Sequence, residues 1–466
     1  MCKTLYKLIS YPLSVPKIAA LIFKNLFEKM GSNFVEVKET TVITPAEPTP
    51  NCILSLSTLD SQFFIRFPIE YLLIYNPVPG IDRKQFSTRV KSALGQALVQ
   101  FYPLAGRVQE SGEGSTLQIV CQAQGVVFVE AVSGYKGPDF EEAPRYVMEW
   151  RSLLCPHVDD VLKGDPPLVV QLTWLDDGAV AIGFGFIHCV CDGIGSVEFI
   201  NLFAELTRGE SVSGPKPVWD RHLLNSSPSS EPKKIVCVNS MSHPEFSRVQ
   251  DCCEFLARFS SETLVPTSRV FVKVQIDQLK QQANRHNRST KYTSFEVVSA
   301  HIWRCWAKSL NMPSNQVLRL FFSVNFRNRI EPGLPDGFYG NAIALACAQT
   351  TVEDLTEKDL GYASDLIKNA KERVDGNYVK EVIELVNENR LSPDSVGVLN
   401  FTQWSRIGLE RVDFGLGKPA HVLCTCTGNC CMLLPVHNQS QAIRAMLAVP
   451  TSAVEMYHHL LTKLIN

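Results

Sequence analysis

A histidine, an aspartate and a glycine follow an apolar run in FGFIHCVCDGIGSVEF, residues 184 to 199. A neutral imidazole, whose reference pKa is about 6.5, can remove a proton from a hydroxyl at physiological pH. With ten histidines in the chain, chance alone gives about half a match to His-x-x-x-Asp, and requiring the glycine lowers this to roughly 0.04. His188, Asp192 and Gly193 are therefore the first candidates for a catalytic site.

The alternative interpretation is that His188 is a core histidine and that Asp192-Gly193 only forms a turn. Against this, the chain contains no GxxxxGK[ST] phosphate loop, no GxSxG nucleophile elbow and no HExxH metal pair. By elimination, His188 leads the side chains that could act as a base.

The segments around the motif predict how His188 is held. PPLVVQLTWL and AVAIGFGFIH flank Asp176-Asp177-Gly178, and an Asp-Gly pair between apolar runs is a strong hairpin signal. After the Asp192-Gly193 turn, SVEFINLFAELTRG has apolar residues at helical spacing and ends at a glycine. The motif is thus predicted to be a strand, a tight turn and a helix start.

Strands and helices also alternate in the rest of the chain, which predicts an α/β fold of the mixed α+β kind. A Pro- and Ser-rich stretch over 211–265 is typical of a long crossover. We therefore expect an N-terminal domain at 34–210 and a C-terminal domain at 266–466. The predicted strands are FVEVKETTVITP, CILSLSTLD, IEYLLIYN, RVFVKVQID, RLFFSVNFR and segments after Val396, and the predicted helices are RKQFSTRVKSALGQALVQF, FEVVSAHIWRCWAKSL and segments between Val352 and Asn389.

Length and composition agree with two domains and a small-molecule partner. The 466 residues exceed what one core usually serves, so two domains of roughly 200 residues are expected. Charged residues make up 20% of the chain, the formal net charge is −2, and no Lys/Arg tract is present. This balance argues against a nucleic-acid surface.

The first 33 residues stand apart from the rest. They hold four lysines before their first acidic residue, Glu28, and Pro12 and Pro16 interrupt their apolar residues. A transmembrane span or a signal peptide needs an uninterrupted apolar run, so neither fits. A surface-lying amphipathic segment and a transit-like leader stay open, but we expect a poorly ordered extension over 1–33.

The fifteen cysteines show no paired CxxC spacing of a zinc site and follow no secretory signal, so free thiols in a reducing compartment are expected. The densest group is CTCTGNCC, Cys424 to Cys431, close to His421. It could in principle gather a metal, but adjacent and alternating cysteines are more typical of small apolar strand residues. We expect no metal site.

Beyond these patterns, the chain resembles the plant BAHD acyltransferases, which use acyl-CoA. HCVCDG (188–193) is similar to their HxxxDG signature and DFGLGKP (413–419) to their DFGWG element, with Leu416 where tryptophan is usual. The resemblance covers roughly 34–460, and it is closest to alcohol and hydroxycinnamoyl transferring members. Further similar segments, in the family's order, are FYPLAGR (101–107), TSFEVVSAHIWR (293–304), SVNFRNR (323–329) and LPDGFYGNA (334–342).

The resemblance implies two similar domains of the chloramphenicol acetyltransferase type, with a channel between them and His188 inside it. It implies that His188 is a general base for direct attack on the thioester, with no acyl-enzyme. It also implies that Thr402 and Trp404 contact the substrate and the tetrahedral intermediate with its oxyanion, with a core anchor under DFGLG as the open alternative for Trp404, and that Asp192 has a structural role in a pair with Arg327. Other residues expected to be structural are Gly193, Asp413, Phe414, Gly415 and Gly417.

Coenzyme A carries phosphates, and one helix start is suited to receive them. Thr293-x-x-Glu296 has the spacing of a capping box ahead of an apolar helix, and free backbone N–H groups at a helix start attract anions. Arg285, Arg288 and Lys291 lie just upstream. A well-capped helix without a ligand is the commoner case, but Thr293 and Ser294 are our candidates for acyl-CoA binding.

The expected function is O-acylation of a plant specialised-metabolite or fatty alcohol by acyl-CoA, with no permanently bound cofactor. N-acylation of an amine and a non-catalytic role as a partner in very-long-chain lipid elongation stay open as alternatives. We expect a cytoplasmic monomer, for which association with a membrane surface stays possible. The acyl donor and the acceptor are not determined at this level.

Overall fold

A computed structural model describes residues 35–463 apart from 113–115, 148, 155–160, 213, 226–241, 286–289, 390–391, 427 and 429. The predicted extension over 1–33 and Arg288 lie outside the described residues. The strands are β1 (Val35–Ile43), β2 (Cys52–Ser55), β3 (Pro68–Tyr75), β4 (Arg107–Glu110), β5 (Leu117–Cys121), β6 (Val126–Ser133), β7 (Leu168–Leu175), β8 (Val180–Ile187), β9 (Leu264–Phe271), β10 (Val317–Asn325), β11 (Ile343–Thr351), β12 (Val398–Gln403), β13 (His421–Leu423), β14 (Cys430–Pro435) and β15 (Ile443–Pro450). The helices are α1 (Arg83–Gln100), α2 (Gly193–Arg208), α3 (Phe255–Ser261), α4 (Lys273–Ala283), α5 (Ser294–Ser309), α6 (Val352–Glu357), α7 (Leu360–Arg373), α8 (Gly376–Asn389) and α9 (Val454–Lys463).

Two six-stranded mixed sheets organise the described residues, with strand orders β1-β6-β7-β8-β3-β13 and β11-β10-β12-β14-β15-β9. A three-stranded sheet, β2-β5-β4, accompanies the first. We call the first sheet with α1 and α2 the first lobe, and the second sheet with helices α4 to α9 the second lobe. The mixed α/β fold class predicted from the sequence is confirmed.

The predicted hairpin before the His188 motif is present. Strands β7 and β8 pair antiparallel, and every residue of both strands is buried. Strands covered on both faces are apolar throughout, which explains the nearly continuous hydrophobic runs of this region. The helix predicted after the turn is α2, which ends at Gly209 in the left-handed conformation.

The core of the second lobe surrounds α5. Its two tryptophans, Trp303 and Trp306, are fully buried, as their spacing on an apolar helix face predicts. Helix α5 packs against α4, α7 and α9. Its first turn is therefore fixed by the lobe core.

One predicted strand is wrong beyond its first three residues. RVFVKVQID was expected to be extended, but β9 ends at Phe271 and α4 begins at Lys273. The residues that α4 buries are Ile276, Leu279 and Ala283, a helical spacing that continues beyond the predicted strand. Polar and apolar residues alternate over the first part of the segment. This alternation is typical of a strand and led to the wrong prediction.

A second predicted strand, CILSLSTLD, is shorter than expected because β2 ends at Ser55. Asp60 ends the extended run, since its carboxylate accepts hydrogen bonds from the Ser57 N–H at 3.0 Å and from the Ser57 hydroxyl at 2.7 Å. Side chains of this kind offer the backbone an alternative to a strand ladder.

A segment from the second half of the chain returns to the first lobe. Strand β13 pairs antiparallel with β3, and residues from Trp404 to Cys426 contribute to the same hydrophobic core as β7 and β8. No local sequence pattern predicts that a strand from the second half of the chain joins the first sheet. The limits of 210 and 266 for the two domains stay a prediction.

Candidate active site

His188 directly follows β8, and hydrogen bonds fix its backbone on both sides. Its N–H donates to the Phe67 carbonyl at 2.9 Å, and its carbonyl accepts from Asn341 Nδ2 at 2.7 Å. Phe67 precedes β3 in the first lobe, whereas Asn341 precedes β11 in the second. The backbone of His188 is therefore held where the two lobes meet.

The imidazole of His188 is half-buried. Its Nδ1 atom is buried and has no hydrogen-bond partner, which leaves the Nε2 edge as the side of the ring that is open. The Phe67 ring, itself 50% exposed, lies edge to face with the imidazole at 5.3 Å between centroids. The open edge thus borders an exposed apolar surface.

Burial sets the charge state of this histidine. It lowers the pKa of His188 below the ordinary value, and the opposing effects of hydrogen bonds and of Asp192 do not offset it. The imidazole is therefore neutral at physiological pH, as a proton acceptor must be.

Asp192 is the N-cap of α2 and is fully buried. Its Oδ1 accepts from the N–H groups of Ile194 and Gly195, each at 3.1 Å, and its Oδ2 accepts from the Ala342 N–H at 3.1 Å. The expected pair with Arg327 is present, with guanidinium contacts of 2.7 and 3.1 Å.

The contacts of Asp192 keep it ionised. Burial by itself would raise the pKa of Asp192, but the Arg327 guanidinium and the backbone N–H groups of Gly195 and Ala342 bring it below the usual range. The carboxylate binds the helix start and the other lobe rather than the His188 ring.

Two glycines follow Asp192 under different constraints. A Cβ at Gly193 would lie 3.6 Å from the Tyr71 hydroxyl, which is an ordinary contact. A Cβ at Gly195 would lie 3.2 Å from both Cys191 Cβ and the Tyr339 ring. A side chain at Gly195 would therefore be crowded by its neighbours, whereas one at the predicted Gly193 would not.

Trp404 lies just past β12 and joins the first lobe through Tyr71. The centroids of these two rings are 4.4 Å apart, and the Tyr71 hydroxyl is 2.7 Å from Ser196 Oγ in the first turn of α2. Trp404 thus packs beside the helix that begins at the His188 motif. No described residue accepts a hydrogen bond from its indole N–H, and this nitrogen is not among the buried atoms without a partner.

Thr402 lies at the end of β12 and is half-buried. Its partner in the parallel pairing with β14 is Met432, and its hydroxyl also contacts the thiol of Cys430. Thr402 and Trp404 are both on the segment that leads from the second sheet to the first lobe.

The DFGLG element is a turn remote from His188. Asp413 Oδ1 accepts from the N–H groups of Gly415, Leu416 and Gly417 at 2.7 to 3.0 Å. Both glycines have positive φ, +86° and +80°, a conformation that glycine adopts without strain.

The position of this turn follows from its contacts with α2. Phe414 packs against Phe203 and Phe184, and the Asp413 carbonyl accepts from Arg208, the last residue of α2. A 16-residue helix is about 24 Å long. Because the His188 turn adjoins the opposite end of α2, the DFGLG turn and His188 lie at the two ends of this helix. Leu416 fills part of the same core.

The predicted capping box at the start of α5 is present. Thr293 Oγ1 accepts from the Glu296 N–H at 3.3 Å, and Glu296 Oε2 accepts from the Thr293 N–H at 2.7 Å. The Thr293 side chain is therefore occupied by the cap. Ser294 instead lines a cavity of about 300 Å³ with a basic wall formed by Lys273, Lys280 and Arg406.

Sequence reasoning missed a buried polar cluster behind His188, formed by Asp60, Arg221 and Asn341. Each of the three is at most 2% exposed. Asp60 binds Arg221 at 2.7 Å, and Arg221 binds the Val190 carbonyl at 2.7 Å. The sequence signals were that Asn341 lies in LPDGFYGNA and Arg221 in VWDRHLL, two segments that resemble the family.

The cysteines in the described residues are free thiols. Burial raises the pKa of the Cys426 thiol to about 12 and that of Cys430 to about 11. Within the same residues no group of three or more His, Cys, Asp or Glu side chains could hold a metal ion. Among the described helices, none combines the length and the apolar character needed to cross a membrane.

Comparison with known proteins connects this arrangement to an enzyme family. A family model described as Transferase family matches residues 33–463. An omega-hydroxypalmitate O-feruloyl transferase from Arabidopsis thaliana is 31% identical, over 91% of this chain and 92% of its own length. A benzyl alcohol O-benzoyltransferase from Nicotiana tabacum is 33% identical, over 83% and 82%.

Solved structures share the fold. Vinorine synthase superposes with a TM-score of 0.69 at 24% identity, covering 91% of this chain and 96% of that one. F. graminearum TRI101, in complex with coenzyme A and deoxynivalenol, gives 0.69 at 16% identity, covering 87% and 96%. Because the family model spans nearly the whole chain and the plant relatives match most of it at above 30% identity, this protein belongs to the Transferase family of BAHD acyltransferases and is an enzyme of that type.

Proposed function

We propose that this enzyme transfers an acyl group from a CoA thioester to the hydroxyl of an alcohol, with His188 as general base. The observation that carries the proposal is the His188 imidazole, which burial keeps neutral and whose Nε2 edge is open where the two lobes meet. A base of this kind can accept the hydroxyl proton while the oxygen attacks the thioester carbonyl.

The reaction then proceeds without an acyl-enzyme. The acceptor oxygen forms the new C–O bond as its proton passes to His188 Nε2, and the thioester carbonyl becomes an oxyanion. Collapse of this intermediate breaks the C–S bond. The CoA thiolate takes the proton back from the imidazolium, which regenerates the neutral base.

Trp404 and Thr402 are proposed to stabilise the oxyanion. The indole N–H of Trp404 has no acceptor among the described residues, so it is available as a donor. Thr402 lies two residues before it and offers a hydroxyl. A preorganised donor of this kind is typically worth about 3 to 4 kcal/mol in the transition state.

The cavity at the start of α5 is proposed to receive phosphates of coenzyme A. Its lining includes Lys273, Lys280 and Arg406, with Asp277 as the one acidic residue, and Ser294 of the α5 first turn. Lys273 is paired with Asp277 at 2.6 Å, which leaves Lys280 and Arg406 to face an anion. Arg406 follows Trp404 closely in the chain, so this cavity adjoins the proposed oxyanion donors.

An alcohol is the acceptor that the relatives favour. Relatives at 29 to 33% identity are named for acylation of omega-hydroxypalmitate, a fatty alcohol and benzyl alcohol. The exposed ring of Phe67, which contacts the His188 imidazole, supplies an apolar surface beside it, which suits an alcohol with an apolar carbon skeleton.

The experiment is a panel of acyl-CoA donors against alcohols and amines, with mass detection of products and His188→Ala as the blank. We expect an ester from at least one pair and none from the variant. If amides are the only products, the acceptor is an amine and not an alcohol. If the folded wild-type enzyme gives no product with any pair, the proposed activity is wrong.

The coenzyme A cavity is tested with the same assay. Lys280→Ala and Arg406→Ala are expected to raise KM for acyl-CoA by about 10-fold each, since each removes a charge-assisted contact, with kcat little changed. Lys463→Ala, at the exposed end of α9, is the matched control. An unchanged KM in both cavity variants would mean that the phosphates bind elsewhere.

A further inference from the structure

Two cysteines lie directly opposite each other in the three-stranded sheet β2-β5-β4. In the antiparallel pairing of β2 with β5, Cys52 and Cys121 are register partners. The same register continues beyond β2, since the Leu56 N–H donates to the Leu117 carbonyl at 2.9 Å. Residues directly opposite each other project from the same face of a sheet, so the two thiols lie on the same side.

The spacing of these two positions suits a disulfide bond. Opposite residues of an antiparallel pair have Cα atoms about 4.5 to 5.5 Å apart, and disulfides join Cα atoms about 4.4 to 6.8 Å apart. The two thiols also contact each other, since a hydrogen bond with Cys52 contributes to a raised pKa of Cys121. A bond between the sulfur atoms therefore requires no backbone movement.

Two other strand cysteines show a different arrangement. Cys347 of β11 lies opposite Phe321 of β10, and Cys431 of β14 lies opposite Phe401 of β12. Each of these thiols faces an aromatic ring position, which suits a small apolar core residue. The opposed pair in β2 and β5 is therefore not a general consequence of the cysteine-rich sequence.

The two thiols of the pair differ in exposure. Strand β2 is at the edge of its sheet, and Cys52 is half-buried, whereas Cys121 on the central strand is 1% exposed. Burial, together with the neighbouring Cys52, raises the pKa of Cys121 to about 12. Because the thiolate is the reactive form of cysteine, Cys52 is the thiol that an oxidant in solution meets first. The Tyr102 hydroxyl lies 3.9 Å from Cys52 Sγ and can donate to the thiolate.

We propose that Cys52 and Cys121 are a redox modification site, which forms a reversible disulfide with a small disulfide such as glutathione disulfide as the oxidant. The Cys52 thiolate attacks one sulfur of the oxidant, which forms a mixed disulfide and releases one glutathione. The Cys121 thiolate then attacks Cys52 Sγ and releases the second glutathione. The oxidant takes up two electrons and the two thiol protons, and an excess of reduced thiol reverses both steps.

The second exchange is the slower step, because burial keeps the Cys121 thiol protonated at physiological pH. It is nevertheless intramolecular between two thiols that are already in contact, which strongly favours it over attack by a second glutathione. In a reducing compartment such a disulfide is transient and typical of redox sensing. The reduced pair is therefore the resting state.

Strand β2 connects the pair to the buried cluster behind His188. The strand has only four residues and ends at Ser55. Ser57 follows closely, and its hydroxyl donates to Asp60 Oδ2 at 2.7 Å. A bond from Cys52 to the central strand therefore restrains the segment that leads to this cluster. Because the bond also closes a long loop, it restricts the unfolded chain and raises stability.

The first test maps disulfides in the folded wild-type enzyme after exposure to glutathione disulfide. Free thiols are then blocked, and trypsin without reduction releases residues 39–66 and 108–136, each of which contains one cysteine of the pair and no other. We expect mass spectrometry to find these two peptides joined, and to find them separate after treatment with dithiothreitol. Glutathione that stays on Cys52 without a cross-link overturns the proposal, and so does the absence of any reaction at Cys52.

The second test compares the unfolding temperatures of the oxidised and reduced enzyme. We expect oxidation to raise the unfolding temperature of the wild type by about 5 °C. Cys52→Ala and Cys121→Ala should each abolish this difference. Cys252→Ala, at a half-buried cysteine outside the strands, is the matched control and should retain it.

A temperature difference that persists in Cys52→Ala arises from other cysteines and overturns the stabilising role of this pair, as does a cross-link that leaves the unfolding temperature unchanged. If the buried Cys121→Ala variant does not fold, Cys52→Ala, at the more exposed position, decides the comparison. Neither test measures acyl transfer, so the proposed function and this inference can fail independently.

Discussion

Arg327 binds both carboxylate oxygens of Asp192, at 2.7 and 3.1 Å, and thereby ties the end of β10 in the second lobe to the start of α2 in the first. The side chain of Asp192 is 1% exposed and that of Arg327 is 13% exposed. Arg327 also donates to the Gly340 carbonyl at 3.1 Å, so it holds the loop of Asn341 as well. The pair fixes the position of the His188 turn relative to both lobes.

Breaking this pair from one side is expected to destabilise the fold. Asp192→Asn leaves the Arg327 charge without its partner, and removing one partner of a buried pair costs about 3 to 5 kcal/mol. Denaturant unfolding measures the loss, and activity should fall along with the folded fraction. The control is Glu36→Gln, at an exposed pair with Lys38, for which no measurable change in stability or activity is expected. An Asp192→Asn enzyme with full stability but no activity would instead give Asp192 a direct catalytic role.

His188→Ala is expected to give a folded protein with almost no activity. General-base catalysis contributes roughly 10²- to 10⁴-fold, so kcat/KM should fall by about that factor. Circular dichroism checks the fold, and His459→Ala, at an exposed histidine, is the matched control. Activity near the wild-type level in the His188 variant would exclude it as the base.

The pH dependence of kcat/KM should reflect the environment of His188. Protonation removes the base, so the rate falls on the acid side at the pKa of the free enzyme's imidazole. Burial lowers the pKa of His188, so the acid limb should lie below the ordinary value of about 6.5. Initial rates at subsaturating acceptor across the acid range measure it. An acid limb above the ordinary value would contradict this prediction.

Asp413→Ala is expected to lower stability without affecting the chemistry. Its Oδ1 holds the N–H groups of three residues in the DFGLG turn, and losing a cap of this kind costs about 1 kcal/mol. The unfolding temperature should fall, while kcat/KM per folded enzyme stays unchanged. A specific loss of kcat would mean that the turn acts on the site through α2.

A buried histidine in the second lobe should make stability depend on pH. His243 lies between Glu245 at 3.1 Å and Glu381 at 2.8 Å. Burial opposes its charge, but the hydrogen bonds to these two carboxylates raise the pKa of His243 above the ordinary value. A raised folded-state pKa contributes stability that is complete below about pH 6.5 and is lost as the pH rises through the raised pKa.

The comparison of wild type with His243→Gln tests this dependence. The difference in unfolding temperature should be largest in mild acid and should shrink as the pH rises. His458→Gln, at an exposed histidine, is the control and should show no such trend. A difference that grows with pH would mean that His243 is neutral in the folded protein.

The local structure around the site could be predicted from the sequence because its signals are local. The Asp177-Gly178 pair predicted the hairpin, and Gly209 predicted the end of α2. The strand predicted over RVFVKVQID failed because alternation over a few residues does not exclude a helical face that continues beyond them.

The sequence by itself determined the mixed α/β class, the strand, turn and helix that carry His188, and the capping box of α5, since each depends on neighbours within one or two turns of chain. The pair of Arg327 with Asp192 was expected only from the family resemblance, and the tertiary structure alone decided that β13 returns to the first sheet and that Asp60, Arg221 and Asn341 converge behind the imidazole. These contacts join residues more than 130 positions apart. No local pattern encodes them, because they form only when the two cores pack and buried polar groups must find partners among whatever side chains are then adjacent.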